Sequence, residues 1–406
     1  MHLPSRAVPS VLLLAALAGL CSAQVWTEDV VIQKFLEQSP YAREARARVA
    51  IAQAETRGRT LYANPVVNFS HEGAGRTEFF QAEQILPITG RLNLLRQAGS
   101  AFVRATEAEG AFALWQARSV LRQAFYGVLA AEESKSLHRA GLKEIAAVIR
   151  VLADREREGE GSKFERLRTE RERAELLAEL TLLRAATALE RAQLLAFLPE
   201  GMNIPSLSGN LETPSLAVNA DELTQRALSL REDYQAEQRR LEQYRIEQRA
   251  AERLRFPEPI LNAGLKRAAV GPGSMANGPV VGITIPIPLF NKGQAEVARY
   301  AAEQERASAR LDVLARQIRA AVEGTLQAFT VRQQLRDAYR KELAETGPEL
   351  VQIATIAYQE GEIGILQLLD AYRVQRQAQL RMIAIQAAAK EAQIELERVV
   401  GEEFGK

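Results

Sequence analysis

Between Pro87 and Pro199 the sequence contains no proline, and no other feature restricts the fold so tightly. Proline lacks the amide donor and clashes with the preceding turn, so helix interiors exclude it. The same exclusion holds for residues 215–256, 289–347 and 349–406. Most prolines gather instead at 65 and 87, at 199–214 and at 257–288. Residues 91–157 as one unbroken helix would reach roughly 100 Å at the usual rise. A compact globule has no use for such a strut; a protein that spans a wide gap does. Ala, Glu, Gln, Arg and Leu dominate and aromatics are only 6%, the composition of long helices and coiled coils.

Inside the first long run, apolar residues recur every seven positions. Leu114, Leu121, Val128, Lys135, Leu142 and Ile149 form one row, and Ala117, Ala124, Ala131, His138, Ile145 and Leu152 the other. Heptad rows with many alanines predict helices that pack closely side by side. The second run predicts a looser seam through Leu311, Leu314, Ile318, Ala321, Ala328 and Leu335, with a kink near Gly347–Pro348.

The chain also repeats itself. "DVVIQKFLEQSPYAREAR" from Asp29 resembles "DELTQRALSLREDYQAEQRR" from Asp221; "NPVVN" (64–68) resembles "EPILN" (258–262), and "EGEGSKFERL" (158–167) resembles "EGEIGILQLL" (360–369). Two structural repeats follow, 24–198 and 221–406, joined by a linker at 199–220. In the first, a helix (28–58) leads to a strand pair (65–86), a long helix (91–157) and a returning helix (163–198). In the second, the same series is a helix (221–255), a strand pair (260–288), a long helix (293–358) and a returning helix (362–400). The strands alternate. Leu261, Ala263 and Leu265 oppose Asn262, Gly264 and Lys266, while Val67 and Phe69 alternate with Asn68 and Ser70. Such a sheet either covers a core or forms a barrel wall between lipid and a wet lumen, and periodicity alone admits both.

Residues 1–23 read as a signal peptide: Arg6, the apolar run "VLLLAALAGL" and a cut after Ala23. Cys21 offers a rival reading as a lipidated cysteine, against which the bulky Leu20 stands. The 52 basic and 51 acidic side chains give no excess to draw nucleic acid. The three histidines, His2, His71 and His138, are scattered and one lies in the leader. No catalytic set, metal ligand group or cofactor motif is apparent, so neither an enzyme nor a bound cofactor is expected.

Two stretches carry a resemblance. "YQEGEIGILQLLDA" (358–371) and "GITIPIPLFNKGQAEV" (282–297) resemble the far-end turn and the strand-to-helix junction of the outer membrane efflux proteins, the TolC-like family. The second stretch resembles most the branch that serves heavy-metal and related resistance-nodulation-division (RND) pumps. The resemblance covers essentially the whole mature chain. It implies a mainly α fold with a transmembrane β-barrel portion: internally duplicated helical hairpins and four strands per chain. A homotrimer would close a 12-stranded barrel in the outer membrane and a periplasmic α-barrel below it. Function would be that of a passive outer-membrane conduit in a tripartite efflux system, fed through a periplasmic adaptor by an inner-membrane RND-type pump. The competing expectation is a soluble periplasmic coiled-coil adaptor. Family positions map the periplasmic gate onto Asp370, Tyr358 and Glu165. Adaptor docking maps onto the turns at Gly159, Glu160, Gly161, Gly361, Glu362 and Leu369. Ile363 and Gln367 stand where the family's best-known gate has charged partners, which implies closure by other contacts. Pro87, Pro286 and Pro288 are expected at the strand–helix junctions, ending the ladder and opening the first helical turn.

Overall fold

The computed structural model describes residues 25–73, 76–216 and 218–404. The leader, its cut after Ala23 and Cys21 lie outside the described residues. In chain order the elements are α1 (Glu28–Gln38), α2 (Pro40–Thr60), β1 (Val66–Glu72), β2 (Thr77–Ile85), α3 (Arg91–Arg157) and α4 (Lys163–Leu195). The second series is α5 (Ala220–Leu230), α6 (Glu232–Glu252), β3 (Ile260–Gly271), β4 (Ser274–Thr284), α7 (Gln294–Gln359) and α8 (Ile365–Val400). At 67 and 66 residues, α3 and α7 are each roughly 100 Å long. α2 and α4 pack along α3, α6 and α8 along α7, and α3 also packs against α6 and α8. The protomer is therefore a wall one helix thick: α2, α3, α6 and α7 beside the sheet, then α4, α3, α8 and α7 beyond it.

Neither leading helix is continuous, a correction to the spans 28–58 and 221–255. The first breaks at Ser39, whose backbone is extended; its hydroxyl accepts the Ala42 amide (3.1 Å) and Pro40 opens α2. Pro40 lacks an amide donor, so a helix can restart there but not run through it. The second breaks at Arg231, also extended, without any proline. There the guanidinium holds Asp233 (2.7 and 3.0 Å) and the Val399 carbonyl (3.1 Å), so tertiary bonds fix the bend.

The junction prolines also need correcting. Pro87, Pro286 and Pro288 follow the strands but do not open the helices. The Ile88 amide donates to the Leu86 carbonyl and the Leu289 amide to the Ile287 carbonyl, both at 2.9 Å. Each bond closes a three-residue turn centred on a proline, whose fixed φ suits that turn. The helices start later, behind Gly90 (φ 75°) and Gly293 (φ 80°). A Cβ on Gly293 would stand 2.7 Å from the Ala251 carbonyl oxygen, so only glycine fits that corner.

Packing along α3 keeps the seven-residue row, with Leu121, Val128 and Lys135 buried, and His138, Ile145 and Leu152 below them. α7 shifts it: Ala328 and Leu335 are exposed, Val322, Phe329 and Arg336 are buried seven apart, and Ala307, Ile318 and Phe329 are buried at eleven-residue spacing. A 3.6-residue helix slips about 20° per heptad, so an eleven-residue row stays on one face of a straighter helix. The main core lies at mid-length. There Phe35, Leu121, Phe125, Leu194 and Ile394 pack together, and Trp26 pairs its backbone with the linker at Ser206 (3.0 Å) and Ser208 (2.9 Å).

Candidate functional site

The four strands form one antiparallel sheet in the order β1-β2-β3-β4. Register places Val67, Ala82, Ala263 and Val281 in one cross-strand row and Phe69, Phe80, Leu265 and Pro279 in the next. These apolar rows face outward: Val67 and Val281 are each 75% exposed. The other face carries Asn68, Gln81 and Gly264 in one row and Ser70, Phe79 and Lys266 in another. Lys266 sits over the Phe79 ring at 5.4 Å, and the Asn262 amide donates to the Thr284 hydroxyl at 3.0 Å. Among the described residues no helix packs across either face. A bare apolar face belongs in lipid, and a polar face behind it belongs to a wet lumen. β1 and β4 each leave one backbone edge without a partner strand, which a bilayer does not tolerate unless the sheet closes.

At the opposite end two turns share one bonding scheme. Gly159 (φ 81°) and Gly361 (φ 78°) are both left-handed. The Gly159 amide donates to the Glu156 carbonyl (3.2 Å) and the Gly361 amide to that of Tyr358 (3.1 Å). Glu160 and Gly161 both donate to Arg155, as Glu362 and Ile363 do to Ala357. Glu160 and Glu362 are exposed, so each turn presents a carboxylate at its tip. A Cβ on Gly161 would meet the Glu156 amide nitrogen at 2.8 Å. Leu369 is the exception among the expected docking residues: it is buried with Leu152, Ala354, Ile365 and Leu368. Its side chain holds the tip together and offers no docking surface.

The expected gate residues lie close by but form no single bonded set within one protomer. Asp370 is exposed and ion-paired to Arg373, one turn on along α8. Asp370, Gln367 and Arg373 line an open cavity of about 520 Å³ with Arg168 and Glu172 of α4. Tyr358 packs against the tip core, and its hydroxyl is buried without a hydrogen-bond partner. Glu165 is half-buried in the first turn of α4. Sequence reasoning overlooked Arg373, although its three-residue spacing from Asp370 is the signal of a helical ion pair.

It also overlooked a buried charge cluster at mid-length. Arg122 of α3 is ion-paired to Glu28 of α1 and Glu397 of α8, with Glu403 at 3.8 Å. Glu397 is fully buried and also accepts from Gln393 (2.6 Å) and the Phe404 amide (3.0 Å). The Tyr126 hydroxyl donates to Glu28 (2.6 Å), and Lys390 lies over the Tyr126 ring at 4.7 Å. Burial alone would raise the Glu28 carboxyl, but the Arg122 charge and the Tyr126 hydroxyl hold it below the usual carboxylate range. Burial pushes the Lys390 ammonium down, partly offset by Glu28 and Glu397.

Residues 223–402 match the family described as outer membrane efflux protein. The second half of the chain thus resembles the outer membrane efflux proteins. Among relatives of this efflux protein is the cobalt-zinc-cadmium resistance protein CzcC of Cupriavidus metallidurans, 24% identical over 291 residues, covering 70% of this chain and 67% of that one. The fold of this chain resembles that of CusC, a protein studied for transmembrane channel formation, with a TM-score of 0.72 at 18% identity over 99% and 98% of the two chains. The MtrE outer membrane channel of Neisseria gonorrhoeae, solved in its open state, superposes with a TM-score of 0.70 at 18% identity over 93% and 91%. The efflux protein is thus an outer membrane channel, its sheet in the bilayer and its helices extending into the periplasm.

Proposed function

We propose that three copies of this channel protein close edge to edge and form one conduit from periplasm to exterior, gated at the helical tips. The observation that carries this reading is the sheet: apolar outward, polar inward, uncovered, and with both edges open. β4 of one copy runs opposite to β1 of the next, so each junction extends the antiparallel ladder. Three copies give twelve strands, enough to enclose a lumen. The apolar outer rows also remove the soluble adaptor reading, because a water-facing sheet of this kind would aggregate.

At the tips, the turns carrying Glu160 and Glu362 would receive a periplasmic adaptor, with Gly159, Gly161 and Gly361 setting their shape. Tyr358, with its unpaired hydroxyl, and Glu165 would find partners on a neighbouring copy when the mouth is shut. Asp370 would line that mouth together with Arg373, so the constriction is zwitterionic. The likeness to CzcC supports an RND-type pump for divalent metal ions as the upstream partner, the metal being cargo. The assembly is tested by light scattering of the purified protein in detergent. The expected mass is three times the 44.9 kDa chain less its leaders; a monomer at the same concentration would sink the closed barrel.

A further inference from the structure

The apolar outer face does not stop where the sheet stops. Past Thr284 the alternation runs on through Ile285, Ile287 and Leu289, all exposed, to Phe290, which is 92% exposed. Ile88, Leu61 and Tyr62 extend the same collar on the first repeat. Basic side chains crowd beside it: Arg57, Arg59, Arg96, Arg253, Arg255, Lys292 and Arg299 are exposed and Arg91 is half-buried. Against them stand the carboxylates of Glu55, Glu252, Glu258 and Glu296 in the same segments. Three of the cations lie over collar or neighbouring rings: Arg96 on Tyr62 (5.8 Å), Arg255 on Phe256 (4.8 Å) and Arg299 on Tyr300 (4.5 Å).

Within this collar a cavity of about 310 Å³ opens between the end of β4 and the start of α3. Arg91 and Arg253 supply its charge, Asn291 a neutral amide, and Phe256, Pro286 and Ile287 its apolar side. Neither arginine has an ion-pair partner among the described residues, and the Nε of Arg91 is buried without a hydrogen-bond acceptor. The carboxylate in the lining, Glu258, is occupied by the Thr89 hydroxyl at 2.8 Å. Two unpaired guanidinium groups beside a greasy wall, at the level where a bilayer meets water, suit a phosphodiester with an acyl chain.

We infer that the cavity between β4 and α3 holds the headgroup of an anionic phospholipid of the periplasm-facing leaflet. Arg91 and Arg253 grip its phosphate, and the acyl chain lies along Ile287, Leu289 and Phe290. The bound lipid fills the space that the irregular junction leaves under the barrel and fixes the depth of the sheet in the bilayer. This inference rests on the sheet lying in the outer membrane.

The test exposes detergent-purified protein to equal amounts of phosphatidylglycerol and phosphatidylcholine, and counts retained lipids by native mass spectrometry. Arg91→Gln/Arg253→Gln is compared with wild type, and Arg171→Gln on the distant, exposed part of α4 serves as control. Expected is a preference for phosphatidylglycerol of about tenfold in wild type and control, reduced to near parity in the double variant. A charge-assisted contact to phosphate supports that size. Since the double variant could fail to fold, Arg253→Gln alone, at an exposed position, should lower the preference by at least about threefold. Equal retention of both lipids by wild type overturns the inference, as does an unchanged preference in the variants or displacement of the lipid by millimolar inorganic phosphate. If instead the membrane reading is wrong, the protein stays soluble without detergent and retains neither lipid.

Discussion

Arg122 shows how much one side chain can hold in a wall this thin. It ties the start of α1 to the end of α8 through Glu28 and Glu397. Removing the guanidinium leaves the fully buried Glu397 without its cation, so Arg122→Ala should destabilise the protein by about 3–5 kcal/mol. Thermal unfolding in detergent, followed by helical circular dichroism, measures it; a loss below about 1 kcal/mol would mean the cluster is relaxed by water. The pH response follows from Glu28. Its carboxyl is held below the usual range in the folded state. Its contribution is therefore complete above the ordinary carboxylate pKa and disappears as pH falls through the depressed value. Wild type should lose stability as pH falls below the ordinary carboxylate range, and Glu28→Gln should flatten that limb. Identical acid limbs would remove Glu28 from the account. Little of this was legible beforehand: Arg122 and Glu397 are 275 residues apart, and nothing local marks a helix charge as buried. The left-handed glycines were legible. Gly159 and Gly361 stand between long polar helices that must reverse, and Gly361→Ala should cost about 1 kcal/mol through strain alone.

Among elements, the sheet and α7 respond to change in opposite directions. Val281 lies in the middle of the outward apolar rows, so Val281→Arg places a charge against lipid. The expected cost is about 2–4 kcal/mol near mid-bilayer, read as a lower urea midpoint for unfolding from membranes. At Val280, on the other face of β4, the same change should be nearly neutral. Equal effects at the two positions would show that the outer face does not meet lipid. On α7, Phe329 is buried and Leu335 is exposed. Phe329→Ala should cost about 3–5 kcal/mol and Leu335→Ala little. The proline map marks where α3 and α7 can run, because a missing proline over such lengths is hard to obtain otherwise. It did not mark the break at Arg231, which depends on the carbonyl of Val399 and so on a distant helix. Nor did the seven-residue pattern foresee which row of α7 is buried, Phe329 and Arg336 in place of Ala328 and Leu335, since alanine-rich stretches read as apolar in either register. Strand alternation told faces apart but not which face was wet; only the absence of a covering helix decided that.

As a whole molecule, the protein has the shape of one segment of the proposed ring. Its wall is one helix and one strand thick, its two side edges are open, and among the described residues nothing covers its apolar sheet face. The long axis was legible from proline placement and the fold family from the two stretches near Pro286 and Tyr358. The proposed gate was less so, because Asp370 is ion-paired to Arg373 and the Tyr358 hydroxyl has no hydrogen-bond partner among the described residues. A zwitterionic mouth predicts opposite shifts: Asp370→Ala should move the conduit toward anions and Arg373→Ala toward cations, each by about 1 kcal/mol of selectivity. Single-channel recording of the purified protein in planar bilayers shows whether the chain forms a conduit. Discrete, long-lived conductance steps, with ion preference shifted in those opposite senses by the two substitutions, are the predicted result. Folded protein that remains soluble without detergent and yields no steps at any concentration would contradict it.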